Sequence, residues 1–214
     1  VTIDGQVDSG IKVIHGNSDS SSSVSFDRGV SYVTLRYLDL QGPGDVNGFH
    51  HLGDDRGIDV TAWNGSSYDA VNYLKVQYSR IHGACTQIWN MNASNGIWEY
   101  NQIYNSTDSS GVPCHPNIFV SAGSNNVTIR YNKIYNYDAE GIMIINGNHG
   151  SMYVYGNLWY SGQTYARILE SQNGVNGPVY FYNKTIDNMW GGVLISNGGT
   201  WASGQEGKNN IWIN

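Results

Sequence analysis

Charge is scarce in this 214-residue chain. Asp, Glu, Lys and Arg together make up 13% of it, about half the ~25% of an average soluble domain. What charge there is leans acidic, with 11 Lys plus Arg against 17 Asp plus Glu and a net charge of −6. A nucleic-acid binder usually carries a basic excess, so the charge argues against polyanionic partners. Ala, Glu, Lys and Leu are too few for a helical bundle or coiled coil, and no segment keeps a 3.6-residue apolar period over a dozen positions. No apolar run nears the ~18 residues of a membrane span; the longest is Ile142–Ile145. Disorder is excluded by the aromatic content, 16 Tyr and 7 Trp. The places of the missing charges are taken by 27 Gly and 25 Asn. The length suits one domain of ordinary size with a real core. Val1 opens directly on a strand-like segment with no leader before it, as expected of a mature or excised chain.

An internal repeat organises the chain. It reads apolar, any, Tyr or small, Asn-like, any, apolar: Leu35-Arg36-Tyr37-Leu38-Asp39-Leu40, then Val76-Gln77-Tyr78-Ser79-Arg80-Ile81, Trp98-Glu99-Tyr100-Asn101-Gln102-Ile103 and Ile129-Arg130-Tyr131-Asn132-Lys133-Ile134. Looser copies begin at Val154 and Phe181, and partial ones stand at Val1–Ile3 and Ile211–Ile213. With residues 3, 35, 76, 98, 129, 154, 181 and 213 as markers, the spacings are 32, 41, 22, 31, 25, 27 and 32. Each marker alternates with period two, the signature of a strand. A second strand follows most of them, at 57–60, 87–89, 117–120, 141–145, 167–169 and 192–195.

A unit of strand, turn, strand and longer loop fits one coil of an all-β, parallel β-helix of about seven irregular rungs, stacked ~4.8 Å apart. Inward Ile, Val and Leu form aliphatic columns. Asn101, Asn132 and Asn157 are expected to take left-handed turn geometry and pass hydrogen bonds from rung to rung. Tyr37, Tyr78, Tyr100 and Tyr131, one position earlier, are expected to stack. Steps that vary from 22 to 41 residues exclude a strict hexapeptide left-handed helix and leucine-rich repeats. A right-handed coil tolerates them, because loops leave it at the turns.

The segments Asn126–Asn136 and Gly177–Ile186, with the opening Val1–Gly5, resemble rungs of the right-handed parallel β-helix, pectin-lyase-like superfamily, and the resemblance covers nearly the whole chain. It implies one domain over 1–214 and an extracellular protein that binds or degrades polysaccharide, as a lyase or a glycoside hydrolase. Many lyases of the superfamily hold Ca²⁺, and Asp54, Asp55 and Asp59 are hard-oxygen candidates for it. Two motifs depart from the family. Asp54-Asp55 and His82-Gly83 are fragments of the polygalacturonase set without its Asn-Thr-Asp segment, and no basic pair of the pectate-lyase kind can be placed on one face.

Cys85 and Cys114 stand just ahead of the second strand in consecutive rungs, within the reach of a disulfide. Of five Asn-x-Ser/Thr sequons, Asn64, Asn92, Asn105 and Asn126 fall in turns and are candidate glycan acceptors, while Asn183 is expected to be buried. No cap is visible over the first or last rung, so the chain is expected to be a fragment of a surface protein or to stack on copies of itself into a fibre.

The few charges gather ahead of the second strand. Asp55, His82, His115, Asp138, Glu140 and Arg167 are the candidate catalytic set: carboxylates for hydrolysis, or a His base with an Arg that neutralises a uronate for β-elimination. The alternative is that they cap turns and pair on the surface. His50 and His51 add a loop pair, and the seven Trp offer sugar-stacking faces, about half of them expected in the core.

Overall fold

The computed structural model describes residues 1–6, 11–14, 22–26, 29–42, 55–60, 62–63, 68–69, 71–91, 93–106, 114, 116–145, 150–162, 166–172, 177–189, 193–196 and 206–213. These form 25 strands, and no helix among them is long and apolar enough to cross a membrane. Three parallel sheets run the length of a β-solenoid. Sheet A contains β1 (Thr2–Asp4), β4 (Thr34–Arg36), β9 (Lys75–Gln77), β12 (Ile97–Glu99), β15 (Val127–Arg130), β18 (Met152–Tyr155), β21 (Val179–Tyr182) and β24 (Glu206–Lys208). Sheet B contains β2 (Ile11–Ile14), β5 (Leu38–Gln41), β10 (Arg80–His82), β13 (Gln102–Ser106), β16 (Lys133–Tyr137), β19 (Leu158–Tyr160), β22 (Thr185–Asp187) and β25 (Ile211–Ile213). Sheet C contains β3 (Ser22–Ser25), β6 (Arg56–Val60), β11 (Thr86–Met91), β14 (Phe119–Ala122), β17 (Glu140–Ile144), β20 (Arg167–Gln172) and β23 (Val193–Ser196). A small antiparallel hairpin, β7 (Ala62–Trp63) with β8 (Tyr68–Asp69), leaves the coil after β6.

Each coil therefore has three strands rather than two. The repeated hexapeptide is not one strand but the end of an A strand, a sharp corner and the start of a B strand. The corner residue is the Tyr: Tyr37, Tyr78, Tyr100 and Tyr131 have φ of 56°, 49°, 59° and 57°, and Gly156, Asn183 and Asn209 continue the column at 65°, 50° and 53°. Left-handed geometry, expected at Asn101, Asn132 and Asn157, thus falls one residue earlier. A bulky residue there carries a conformational cost. The tyrosines offset it by stacking, with centroids 5.2, 5.0 and 5.2 Å apart from Tyr37 to Tyr131. The last marker also moves: Gly207, not Ile213, sits across from Phe181, and Ile213 pairs with Asp187 on sheet B.

The Asn ladder is real and lies inside the coil. The Asn132 carboxamide oxygen accepts from the Asn101 backbone N at 2.9 Å and from Asn101 Nδ2 at 3.1 Å. Asn157 Oδ1 receives the same two bonds from Asn132 at 2.9 and 3.0 Å. Each Asn Nδ2 also donates to a carbonyl of sheet A: Val76, Trp98 and Ile129. Ser79 begins this run by donating its backbone N to Asn101 Oδ1. The next position is Lys184, 1% exposed. Its Nζ donates to the Val154 and Tyr182 carbonyls and lies 3.2 Å from the centre of the Phe181 ring. Lys has no acceptor, so Lys184 interrupts the ladder, which resumes when its backbone N donates to Asn210 Oδ1 at 3.2 Å. Burial lowers the Lys184 ammonium to about 6.

Around this spine the inward side chains stack by type. Leu35, Val76, Trp98, Ile129, Val154 and Phe181 line sheet A, and Leu40, Ile81, Ile103, Ile134, Trp159 and Ile186 line sheet B. Ile58, Ile88, Phe119, Ile142 and Leu169 line sheet C, and all are buried. Cys85 and Cys114 form the disulfide, with Cα atoms 6.0 Å apart. In the chain-entropy picture, closing a loop of this size contributes about 3–4 kcal/mol.

Two measurements check the ladder. Asn132→Ala leaves buried groups on Asn101 and Trp98 without partners and is expected to lower stability by about 2–4 kcal/mol in urea unfolding. A loss near zero would remove the ladder from the account of stability. Lys184→Asn restores the missing acceptor and is expected to raise Tm by about 3–6 °C. Because the folded protein holds this ammonium well below its unfolded value, Lys184 costs most at pH below about 6 and progressively less as pH climbs toward 10.5. The gain from Lys184→Asn should shrink over the same window; a gain independent of pH would mean the amine is not buried.

Candidate functional site

Sheet C departs from strict alternation, and this builds the site. At the head of its strands two successive residues turn inward, as Gly57 with Ile58 and Ile168 with Leu169 do. The outward residues then fall at i and i+3. Two outer columns result, Arg56, Thr86, Asn117, Glu140 and Arg167 beside Asp59, Trp89, Val120, Met143 and Glu170. Between them lies a depression of about 200 Å³ lined by Thr86, Trp89, Asn117, Val120, Met143, Ile145 and Gln172. That is below the ~300–1,000 Å³ of a pocket for a whole small molecule, and suits one ring of an extended chain.

The two ends of the depression carry charge. At one end the Arg56 guanidinium lies over the Trp89 ring, 4.2 Å from its centre, and donates to Asp59 Oδ2 at 2.5 Å. At the other, Arg167 donates to Glu170 Oε2 at 2.6 Å and to Glu140 Oε1 at 3.3 Å. Tyr137 donates its hydroxyl to the Arg167 carbonyl from inside the coil. Burial pushes the Glu140 carboxyl up to about 7, helped by a hydrogen bond with Glu170 and by that group's charge, and opposed by Arg167. Glu140 thus keeps its proton to near neutrality.

Of the residues expected to act together, Glu140 and Arg167 are brought into contact, with Asp138 two positions before Glu140 in the same corner, its backbone N donating to Ser106. Asp55 lies three coils away and is wholly buried, its Oδ1 accepting from the Cys85 backbone N at 3.2 Å. His82 belongs to sheet B, where Nε2 is 2.8 Å from Asp39 Oδ1 and the ring stacks on Tyr104 at 4.7 Å. His115, Asp54, His50, His51, Asn64 and Asn92 lie outside the described residues. Among the described residues no three His, Cys, Asp or Glu are grouped to hold a metal. Asp55 faces the backbone of Cys85 and Asp59 faces Arg56, so these two of the Ca²⁺ candidates do not converge.

Glu170, Thr86, Asn117, Met143 and Gln172 were not legible as site residues. The signal was present in the recurring i, i+3 pairs, but strict alternation would put the two members on opposite faces. The tryptophans divide. Trp98 and Trp159 are core, Trp212 is exposed, Trp89 lines the depression, and the side chains of Trp63, Trp190 and Trp201 lie outside the described set. Asn126 is exposed at its corner, its Nδ2 3.3 Å from Asn95 Oδ1, whereas Asn105 Oδ1 is engaged by Asn136 Nδ2 at 2.6 Å. Asn183, expected to be buried, is exposed, because the corner turns it outward and the next residue, Lys184, inward.

Fold and site define a parallel β-solenoid with a shallow, aromatic-walled groove on one sheet. No protein-family model, no curated protein and no solved structure matches the chain.

Titration of Glu140 is measurable through stability. Glu140 has a raised value in the folded state, so its contribution is fully present below about 4.5 and is lost as pH rises through 7. Lys184 acts the other way above about pH 6 in wild type and variant alike, so the readout is their difference: from pH 5 to pH 7.5 the denaturant midpoint of Glu140→Gln should rise relative to that of the wild type. An unchanged slope in the variant would place the titrating group elsewhere.

Proposed function

We propose that this protein is an extracellular β-solenoid that binds polysaccharide along the outer face of sheet C, with one sugar ring seated beside Trp89. The observation that carries the reading is the geometry of that ring. Arg56 covers Trp89 from the preceding coil, and every residue of the depression belongs to the coil of Trp89 or to later ones. Val120 is small and wholly buried, so the surface of the depression is formed by the outer part of the Trp89 ring with Met143, Ile145 and Gln172, all half-buried. A flat sugar ring can rest on that surface against the indole. Gln172 supplies an amide at its margin, while Thr86 and Asn117 are buried beneath it. The disulfide supports an oxidising, extracellular setting, and exposed Asn126 is the glycan acceptor this setting favours. The resemblance to pectin-lyase-like rungs supports the same ligand class and a right-handed coil.

A degrading version rests on Glu140, which holds a proton near neutrality at the groove edge. Its hydrogen bond to Glu170 brings the two carboxyls closer than the ~5–9.5 Å separation of a glycosidase pair. Binding is therefore the stronger reading.

Affinity electrophoresis against a panel of plant, algal and microbial polysaccharides should retard the protein in at least one. Trp89→Ala should weaken that interaction by about tenfold or more. No retardation in any gel, or retardation indifferent to Trp89, sinks the proposal. Release of reducing ends that is lost in Glu140→Gln would restore the degrading version.

A further inference from the structure

The glycan-binding reading of sheet C narrows to a substrate class, and the following rests on that reading. We infer that the groove takes uncharged sugar units and turns away uronate and sulfated ones. The two guanidiniums that border it are already committed to the protein's own carboxylates. Arg56 is held by Asp59 at 2.5 Å, and Arg167 by Glu170 at 2.6 Å and Glu140 at 3.3 Å. The side chains of Asp59, Glu140 and Glu170 are only 14%, 13% and 7% exposed. A ligand carboxylate that captured either Arg would leave one of them desolvated and without its cation, which is strongly unfavourable.

The balance of charge acts the same way. Three carboxylates face two guanidiniums at the ends of the depression, so an incoming anion meets no net positive field. The lining contributes no charge: Trp89, Val120, Met143 and Ile145 are apolar, and Thr86, Asn117 and Gln172 are neutral. A neutral pyranose presents an apolar C–H face to Trp89 and hydroxyls to the Gln172 amide, and asks nothing of the Arg residues. The expected ligand is thus the opposite of the uronate chain that the pectin-lyase-like resemblance suggests. Asp59 and Glu170 are the residues that set the preference, by occupying the cations.

The test is calorimetric titration of the whole chain at pH 7.5 and moderate salt. The probes are neutral hexasaccharides (β-1,4-glucan, β-1,4-xylan, β-1,4-mannan and β-1,3-glucan), a hexagalacturonate and a sulfated galactan oligomer. At least one neutral hexamer should bind tenfold or more tightly than either acidic one. Asp59→Asn and Glu170→Gln, each checked for folding by circular dichroism, should raise affinity for the acidic hexamers about fivefold or more by releasing a guanidinium. The wild-type ratio alone decides the matter if a variant fails to fold. An acidic hexamer that binds as tightly as the neutral ones, and loses its affinity in Trp89→Ala, overturns the specificity and leaves the glycan site standing. Absence of binding by every probe, or binding indifferent to Trp89, overturns the glycan reading itself and this inference with it.

Discussion

A chain that coils on itself must hydrogen-bond along the coil axis at its corners, where no strand supplies partners. That requirement governs the rest of this structure. At the corner between sheets A and B, the residue after the left-handed turn points its backbone N along the axis, and the carboxamide of the next coil receives it. The carboxamides of Asn101, Asn132 and Asn157 do this in sequence, and each spends its Nδ2 on a carbonyl of the A strand in the preceding coil. A buried N–H left alone costs about 1–3 kcal/mol, so the ladder repeats a saving at each coil. Lys184 shows the constraint by breaking it: with no acceptor to offer, it fills the space with an amine satisfied by two carbonyls and an aromatic face.

Regular stacking also decides which aromatic rings are available to a ligand. Tyr104, Tyr135 and Tyr160 continue the stack begun at His82, at 4.8 and 4.7 Å with planes within 14°. Rings packed face to face across coils show only their edges and hydroxyls outward. The exposed tyrosine columns are therefore structural, however aromatic the surface looks. Trp89 differs because its column is chemically irregular. It has a guanidinium on one side and the small, buried Val120 on the other, so no ring of a neighbouring coil stacks on it.

The coil, its parallel strands, the Asn ladder, the tyrosine stack and the disulfide were all legible, because each reflects repetition: the same residue type at the same place in successive turns. What was not legible was local geometry that breaks a simple period. A Tyr with φ near 56° carries no mark in its residue type, so one alternating hexapeptide concealed two strands, and Asn183 was assigned to the wrong side. Two inward residues at the head of each C strand likewise hid the pairing of Arg167 with Glu170. Of the described members of the expected charge cluster, Glu140 and Arg167 meet, whereas Asp55 serves the neighbouring coil and His82 answers Asp39 on another sheet.

The location of the groove follows from the same corners. From the second coil on, the A and B strands are joined by at most two residues, whose left-handed geometry and ladder bonds leave no room for an insertion. Every change in repeat length must then enter at the connections to either side of sheet C. Sheet C also has the irregular outer columns, with Trp89, Val120 and Met143 in one and charged groups only toward the ends. The tight A–B corner thus confines variation in repeat length to the connections on either side of sheet C, and a ligand site on that sheet can form without disturbing the ladder bonds of the A–B corner.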